Sequence, residues 1–166
     1  MRNAGILIAT AILFGCGASA GEYRGISSRS TCSSVLDSEQ RLGAKLTGQR
    51  QESGASGPVE VHELTGEIGS VPVRIDVACD GANLYMVVFN AQVSSDAAAS
   101  EAFDRLRASM AGQFHAAQVD DRKHGRSATF ECKPAGLSVS LVEDLVSQGA
   151  PKSSAALLVV PRPGPC

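Results

Sequence analysis

The sequence predicts one α+β domain, an antiparallel sheet of about six strands with two helices packed on it and two disulfides. Two helical stripes, six strand-like stretches and four cysteines behind an export segment support this prediction. About 146 to 151 residues remain once that segment is removed. Such a length suffices for one domain with its own hydrophobic core.

Two stretches have the apolar period of an amphipathic helix. The first stripe consists of Cys32, Val35, Leu36, Leu42 and Leu46, and the second of Ala99, Phe103, Leu106, Met110 and Phe114. Ser34 and Asp37 offer a capping box for the first helix, and Ser94, Ser95 and Asp96 cap the second. We therefore expect two helices, each with one face on the sheet.

Six stretches have the pattern of strands. They are residues 59–64, 71–79, 84–89, 127–132, 137–142 and 155–160. The second alternates strictly, and Asp80-Gly81 behind it is a strong hairpin signal. The third is apolar on both faces, which predicts a central strand. Residues 49–58 and 119–126 have loop composition.

The element order also fits a repeat of one helix and three strands, αβββ-αβββ. Residues 79–84 (CDGANL) and 132–137 (CKPAGL) share Cys, Ala and Leu at the same offsets. A chance similarity between two hairpins is the competing interpretation.

Residues 1–20 have the layout of a secretory signal peptide. A positive end, Met1-Arg2-Asn3, precedes about eleven apolar residues, and small residues follow. This core is too short for a bilayer span, which takes about 20 residues. We expect a flexible tether at 21–31 and a single disulfide-stapled domain at 32–166.

Leu13-Phe14-Gly15-Cys16 resembles the lipobox of bacterial lipoproteins, with Phe14 where a smaller residue is usual. The resemblance implies cleavage before Cys16, lipidation of that cysteine and a lipid anchor on the periplasmic face of a membrane. Ala18-Ser19-Ala20 also fits the A-x-A rule, which would place cleavage after Ala20 and leave a soluble periplasmic or secreted protein.

The odd cysteine count of five is explained by the export segment, because Cys16 is either lipidated or removed. The four others are Cys32, Cys79, Cys132 and Cys166. In an exported domain they predict two disulfides, with three connectivities that the sequence does not separate. Metal binding is the alternative, although the chain has no C-x-x-C pair.

Charge and composition exclude several classes of function. Without Arg2 the chain has 14 basic and 17 acidic residues, a net charge of −3, which argues against nucleic-acid binding. It has no Trp and few Tyr or Phe, which disfavours a glycan-binding role. No G-x-S-x-G motif is present, and we predict no catalytic residue and no cofactor.

The best cluster of ligand-type side chains is His115, Asp120, Asp121 and His124, but interleaved basic residues oppose a bound cation, so we predict no metal site. The same region is the most favourable recognition loop, since it is dense in long charged side chains. Its residues are Asp120, Asp121, Arg122, Lys123, His124 and Arg126. The acidic series Glu60, Glu63 and Glu67 is the other candidate surface.

The leading functional hypothesis is an exported, non-catalytic binding protein of the bacterial envelope, an inhibitor, immunity factor or accessory lipoprotein. Its expected partner is another envelope protein, with membrane attachment through Cys16 if that residue is lipidated. One alternative is a small hydrolytic or metal-dependent enzyme that uses His115, Asp121 and His124. Another is a carrier of a small molecule or lipid.

Overall fold

A computed structural model describes residues 22–54, 57–110, 114, 118–130 and 136–161. These residues form two α-helices and eight strands. The helices are α1 (Cys32–Arg41) and α2 (Asp96–Met110). The strands are β1 (Lys45–Gly54), β2 (Gly57–Ile68), β3 (Val71–Asp80), β4 (Asn83–Ala91), β5 (Gln118–Arg122), β6 (Gly125–Phe130), β7 (Leu137–Asp144) and β8 (Ser154–Pro161). A short 3-10 helix, Val146–Gln148, lies between β7 and β8.

All eight strands belong to one antiparallel sheet with the order β1-β2-β3-β4-β8-β7-β6-β5. Each half of the chain therefore contributes one helix and a four-stranded meander, and the halves meet where β4 pairs with β8. In that central pair Val87 lies opposite Val159, and Phe89 lies opposite Leu157. The predicted antiparallel α+β architecture is confirmed.

The predicted number of about six strands is wrong. The sequence pattern assigns Leu46 of β1 to the first helical stripe and the rest of that strand mainly to the loop at 49–58, and it assigns most of β5 to the loop at 119–126. Strands β1 and β5 are edge strands, and all of their residues are exposed or half-buried. A strand with neither face in the core needs no alternation of apolar and polar residues, so its sequence resembles a loop. The element order of each half is consequently αββββ and not the predicted αβββ.

The sequence echo between 79–84 and 132–137 does not mark the repeat. Cys79 precedes the β3–β4 turn, whereas residues 131–136 connect β6 to β7. The β3–β4 turn is the third connection of the first meander, whereas the β6–β7 connection is the second of the second meander. The two stretches are therefore not at equivalent positions.

The helix face of the sheet forms the core. Alternate residues of β3 (Val71, Val73, Ile75, Val77 and Cys79) are buried there, as are Ala99, Phe103, Leu106, Met110 and Phe114 from α2 and the segment after it. Both sets are the ones that the sequence periodicity predicts. Helix α2 packs on β7, β8 and β3, and α1 packs on β3.

Helix α1 begins earlier than the predicted capping box at Ser34 implies, and it ends earlier than the apolar stripe, which reaches Leu46. Thr31 is the N-cap, and its side chain and that of Ser34 accept each other's backbone N–H groups at 3.3 and 3.0 Å. The capping box is therefore Thr31–Ser34, not Ser34–Asp37. The helix ends at Arg41, so Leu42 and Leu46 are exposed.

Residues 22–31, part of the predicted flexible tether, are packed against the domain. Tyr23 and Ile26 are buried and bridge each other through their backbones. Arg24 donates two hydrogen bonds to the buried carboxylate of Glu39 on α1, at 2.9 and 2.7 Å. Two apolar anchors among polar residues were too few to show as a periodic pattern.

One disulfide, Cys32–Cys79, is present among the described residues, with a Cα–Cα distance of 5.9 Å. It joins the start of α1 to the end of β3. Two disulfides were predicted, and Cys132 and Cys166 lie outside the described residues. Since Cys79 pairs with Cys32, the only second bridge that these four cysteines could form is Cys132–Cys166.

Candidate binding site

The predicted recognition loop is a β-hairpin at one edge of the sheet. Asp120, Asp121 and Arg122 belong to β5, Lys123 and His124 form the turn, and Arg126 belongs to β6. Gly125 has φ +155°, and a Cβ at this position would collide with the backbone carbonyl of Glu143 on β7. Glycine is therefore required where the hairpin meets its neighbouring strand.

Arg126, the last residue of this loop, is turned into the structure. It donates to both carboxylate oxygens of the buried Glu143, at 2.9 and 2.8 Å, and to Asp104 of α2 at 3.2 Å. Its guanidinium also lies 4.4 Å from the ring centroid of Phe103. The hydrogen bonds from Arg126 are the main reason that the pKa of Glu143 lies below its ordinary value. Arg126 thus fastens α2 to the sheet.

His124 is also engaged within the fold. Its Nδ1 atom lies 2.6 Å from the carbonyl oxygen of Gln148, and its own carbonyl accepts from the backbone N–H of Leu145 at 2.7 Å. The hairpin turn is thereby tied to the segment that contains the 3-10 helix. The Nδ1 atom of His124 is therefore occupied within the fold.

Asp120, Asp121, Arg122 and Lys123 are the exposed members of the loop. Arg122 lies 3.6 Å from Asp144 of β7, and Gln118 donates to Asp120 at 3.0 Å. Strand β5 is short, charged and at the edge of the sheet. Charges at such an edge oppose pairing with strands of other chains, which is a sufficient physical reason for them.

The alternative catalytic or metal-binding set is not assembled in the described part of the chain. His115 lies outside it, Asp121 is exposed on β5, and His124 is bonded to Gln148. Within residues 22–54, 57–110, 114, 118–130 and 136–161, no three His, Cys, Asp or Glu side chains are grouped as a metal site would require. Over the same ranges, no helix is both long and apolar enough to span a membrane.

The acidic series divides between the two faces of β2. Glu60 lies opposite Cys79, on the helix side of the sheet, and 3.9 Å from His62. Glu63 and Glu67 lie opposite Asp76 and Pro72, on the side of the sheet away from the helices, which we call the open face, and Glu63 binds Arg50 there. The three glutamates therefore do not form one acidic surface.

An ion network crosses β1, β2 and β3 on the open face. Arg50 contacts Glu52, Glu63 and Asp76, and Arg74 contacts the same Asp76 oxygen at 3.2 Å. Hydrogen bonds to Glu52, and then to Asp76 and Glu63, raise the pKa of Arg50 above its ordinary value. Arg50 is fully used within the network, whereas about half of the Arg74 side chain is exposed at its end.

A cavity of about 360 Å³ lies beside Arg74. It is lined by Arg74 of β3, by Asn90, Ala91, Gln92 and Val93 at the end of β4, and by Lys152, Ser153 and Ser154 before and at the start of β8. The antiparallel pairing of β3 with β4 places Arg74 opposite Asn90, and β8 is the next strand in the sheet. Sheet topology thus assembles three distant parts of the sequence.

Several hydrogen-bond donors that line this cavity have no partner among the described residues. The side chains of Lys152, Asn90 and Gln92 make no hydrogen bond or ion pair with any residue that the structure describes. No carboxylate lines the cavity. Ser153 is the exception, because its hydroxyl donates to Asp96 at 2.5 Å. The cavity therefore presents one cation, Lys152, and two amides without a partner among the described residues, together with Arg74, which already contacts Asp76.

A second cavity of about 220 Å³ lies on the helix side of the same strand end. Gln92 and Val93 line both cavities, so they form a shared wall. The other lining residues are Ser70, Val71, Pro72, Ala98, Glu101, Ala102 and Arg105, a more apolar set. The polar cavity thus adjoins a smaller space at the start of α2.

Sequence reasoning missed this site completely. Arg74, Asn90 and Lys152 lie in three different stretches, and each resembles an ordinary exposed residue of a strand or loop. The available signal was Lys152 between Pro151 and a strand start, which is not specific. No protein-family model matches the chain, and neither a curated protein nor a solved structure shows significant similarity to it.

Proposed function

We propose that this chain is an exported, non-catalytic binding protein of the bacterial envelope, anchored by lipid on Cys16, whose partner is another envelope protein. The signal layout and the lipobox resemblance of residues 13–16 support the export and the anchor. The alternative cleavage after Ala20 would give the same protein in soluble periplasmic or secreted form.

The observation that carries the binding role is the cavity beside Arg74. Elsewhere, arginines that are partly buried are bound internally, as Arg24 is by Glu39 and Arg126 by Glu143. Here Lys152 and the amides of Asn90 and Gln92 face a concave space with no internal partner among the described residues. Convergent polar groups in a concavity are typical of a binding site.

The surrounding scaffold suits binding because it is fixed on several sides. Asp96 accepts from the backbone N–H groups of Val146 and Ser147 at 2.8 Å and from the hydroxyl of Ser153. It thereby holds the segment that carries Lys152 against the start of α2. A positioned loop loses less conformational entropy when it binds.

A carrier of small molecules is the second candidate. The cavity volume of about 360 Å³ falls within the usual range for small organic ligands. In that case the cavity itself, and not a protein surface around it, would be the whole site.

The experiment is photo-cross-linking in the producing cell. A photoreactive amino acid is placed at Pro151, exposed beside Lys152, or at Ser33, exposed on α1, in the full-length chain. We expect a discrete protein adduct from position 151 and not from position 33. Adducts of equal yield from both positions, or none from 151, contradict the protein-binding proposal.

The anchor is tested separately by mass spectrometry of the mature protein. A diacylglyceryl-modified Cys16 at the N-terminus supports the lipoprotein form. An unmodified N-terminus at Gly21 contradicts it and leaves the soluble form.

A further inference from the structure

The cavity beside Arg74 has the charge and donor chemistry of a site for one carboxylate group. We propose that Arg74, Lys152, Asn90 and Gln92 bind a monoanionic carboxylate, an inference that rests on the proposed binding function and names the chemistry it recognises. The carboxylate could belong to a small organic acid or to an acidic group of a partner protein, and the experiment below distinguishes the two.

The local charge favours a monoanion. Two cations, Arg74 and Lys152, line the cavity, but Asp76 touches Arg74 at 3.2 Å and offsets part of its charge. The ammonium of Lys152 has no ion-pair partner among the described residues, although the carboxylate of Asp96 accepts from the hydroxyl of the adjacent Ser153. A bound carboxylate would pair with that ammonium, whereas a phosphate dianion would place an excess negative charge close to Asp76 and Asp96.

The donor set also matches a carboxylate. A guanidinium presents parallel N–H groups that fit two carboxylate oxygens, and an ammonium supplies a point charge beside them. The amides of Asn90 and Gln92 can each donate to the remaining lone pairs. Arg74 lies opposite Asn90 across paired strands, so the two side chains leave the sheet from neighbouring positions on the same face.

The cavity of about 360 Å³ has room for a carboxylate that carries a short apolar group. Butyrate, with a carboxylate and three further carbons, is therefore a suitable probe.

The experiment is calorimetric titration of the full-length protein with butyrate at constant ionic strength. Butyramide serves as the neutral counterpart and inorganic phosphate as the dianion. We expect saturable binding of butyrate that is at least tenfold tighter than that of either comparison compound. No saturable butyrate binding, equal binding of butyramide, or tighter binding of phosphate overturns the proposal.

Variants locate the binding. Lys152→Gln removes the ammonium of an exposed loop residue, and we expect it to weaken butyrate at least tenfold. Lys45→Gln, at an exposed cation at the start of β1, is the matched control and should leave the affinity unchanged. Equal weakening by both variants means general electrostatic attraction and contradicts a site. Arg74→Gln should weaken binding as Lys152→Gln does.

Competition distinguishes the source of the carboxylate and separates this proposal from the protein-binding one. If butyrate binds and suppresses the adduct from position 151, the partner supplies the carboxylate. If butyrate binds and no adduct forms, the ligand is a free acid and the protein-binding proposal fails. A Lys152-dependent adduct without butyrate binding overturns the carboxylate assignment and leaves protein binding intact.

Discussion

Arg126 and Glu143 are joined by two parallel hydrogen bonds, Nε to Oε2 at 2.9 Å and Nη2 to Oε1 at 2.8 Å, although they lie 17 residues apart. Glu143 is almost completely buried, with 1% of its side chain exposed. The pair links β6 to β7, and Asp104 and the ring of Phe103 extend it to α2. A residue that sequence reasoning assigned to recognition is thus part of the internal framework.

Removing Arg126 should destabilise the fold. Arg126→Ala leaves a buried carboxylate without its cation, which costs about 3 kcal/mol in the free energy of unfolding. Urea unfolding measures this loss. Arg105→Ala, which removes an exposed ion pair with Glu101, is the control and should cost less than about 0.5 kcal/mol. Equal losses in the two variants would show that the Arg126 pair contributes no more than an exposed one.

Asp96 should make stability depend on acid pH. Hydrogen bonds from Ser147 and then Ser153 hold the pKa of this carboxylate well below its ordinary value of 3.8. A carboxylate with a lowered pKa in the folded state contributes stability that is fully present above its unfolded-state pKa. That stability is lost as pH falls from the unfolded-state pKa towards the folded-state pKa.

Asp96→Asn should therefore lower the melting temperature at neutral pH. The difference in melting temperature between this variant and the original protein should shrink as pH falls below about 4. Thermal unfolding followed by circular dichroism across this range measures the two curves. A difference that stays constant with pH contradicts the ionic role. Glu101→Gln, at an exposed residue of the same helix, is the control.

Tyr23 should make stability depend on alkaline pH. Burial is the main cause that raises the pKa of its hydroxyl from 10.0 to about 12. The folded state favours the neutral hydroxyl. Its contribution to the free energy of unfolding is therefore fully present below pH 10 and is lost as pH rises towards 12.

Tyr23→Phe removes the titrating hydroxyl and keeps the ring. Between pH 10 and pH 12 the original protein should therefore lose about 2 kcal/mol more of its unfolding free energy than Tyr23→Phe loses. Denaturant unfolding at several alkaline pH values tests this, with Tyr85→Phe at an exposed position as the control. Parallel curves for the original protein and Tyr23→Phe would show that burial of the hydroxyl has no linkage effect.

The second disulfide is predicted to be Cys132–Cys166. Intact mass with and without reductant should differ by about four hydrogens, and peptide mapping should yield Cys32–Cys79 and Cys132–Cys166 peptides. A difference of two hydrogens would mean that only one bridge forms. Replacing both Cys32 and Cys79 by Ala should cost about 4 kcal/mol, because the bridge closes a segment with a sequence separation of 47.

Sequence periodicity predicted the parts of this fold that bury one face. Val71, Val73, Ile75 and Val77 alternate because one side of β3 lies on the core, and the α2 stripe has the same origin. Edge strands β1 and β5 lack such a face, so their sequences have no apolar period. The number of strands and the type of repeat depended on those edges, and both were missed.

The binding site could not be predicted for a different reason. It is made by the adjacency of β3, β4 and β8, and β8 joins β4 only because the second meander runs back to the centre of the sheet. Arg74 and Lys152 are 78 positions apart, with no local pattern that links them. Charge density along the sequence instead favoured the β5–β6 hairpin, where Arg126 and His124 serve the scaffold.

The central claim is that Lys152 and its cavity bind the partner, and cross-linking tests it most directly. The measurement is the fraction of full-length chain that forms an adduct from position 151 in the original protein, in Lys152→Gln and in Lys45→Gln. We predict at least a tenfold lower fraction for Lys152→Gln and an unchanged fraction for Lys45→Gln. An undiminished adduct in Lys152→Gln, or equal losses in the two variants, would contradict the account.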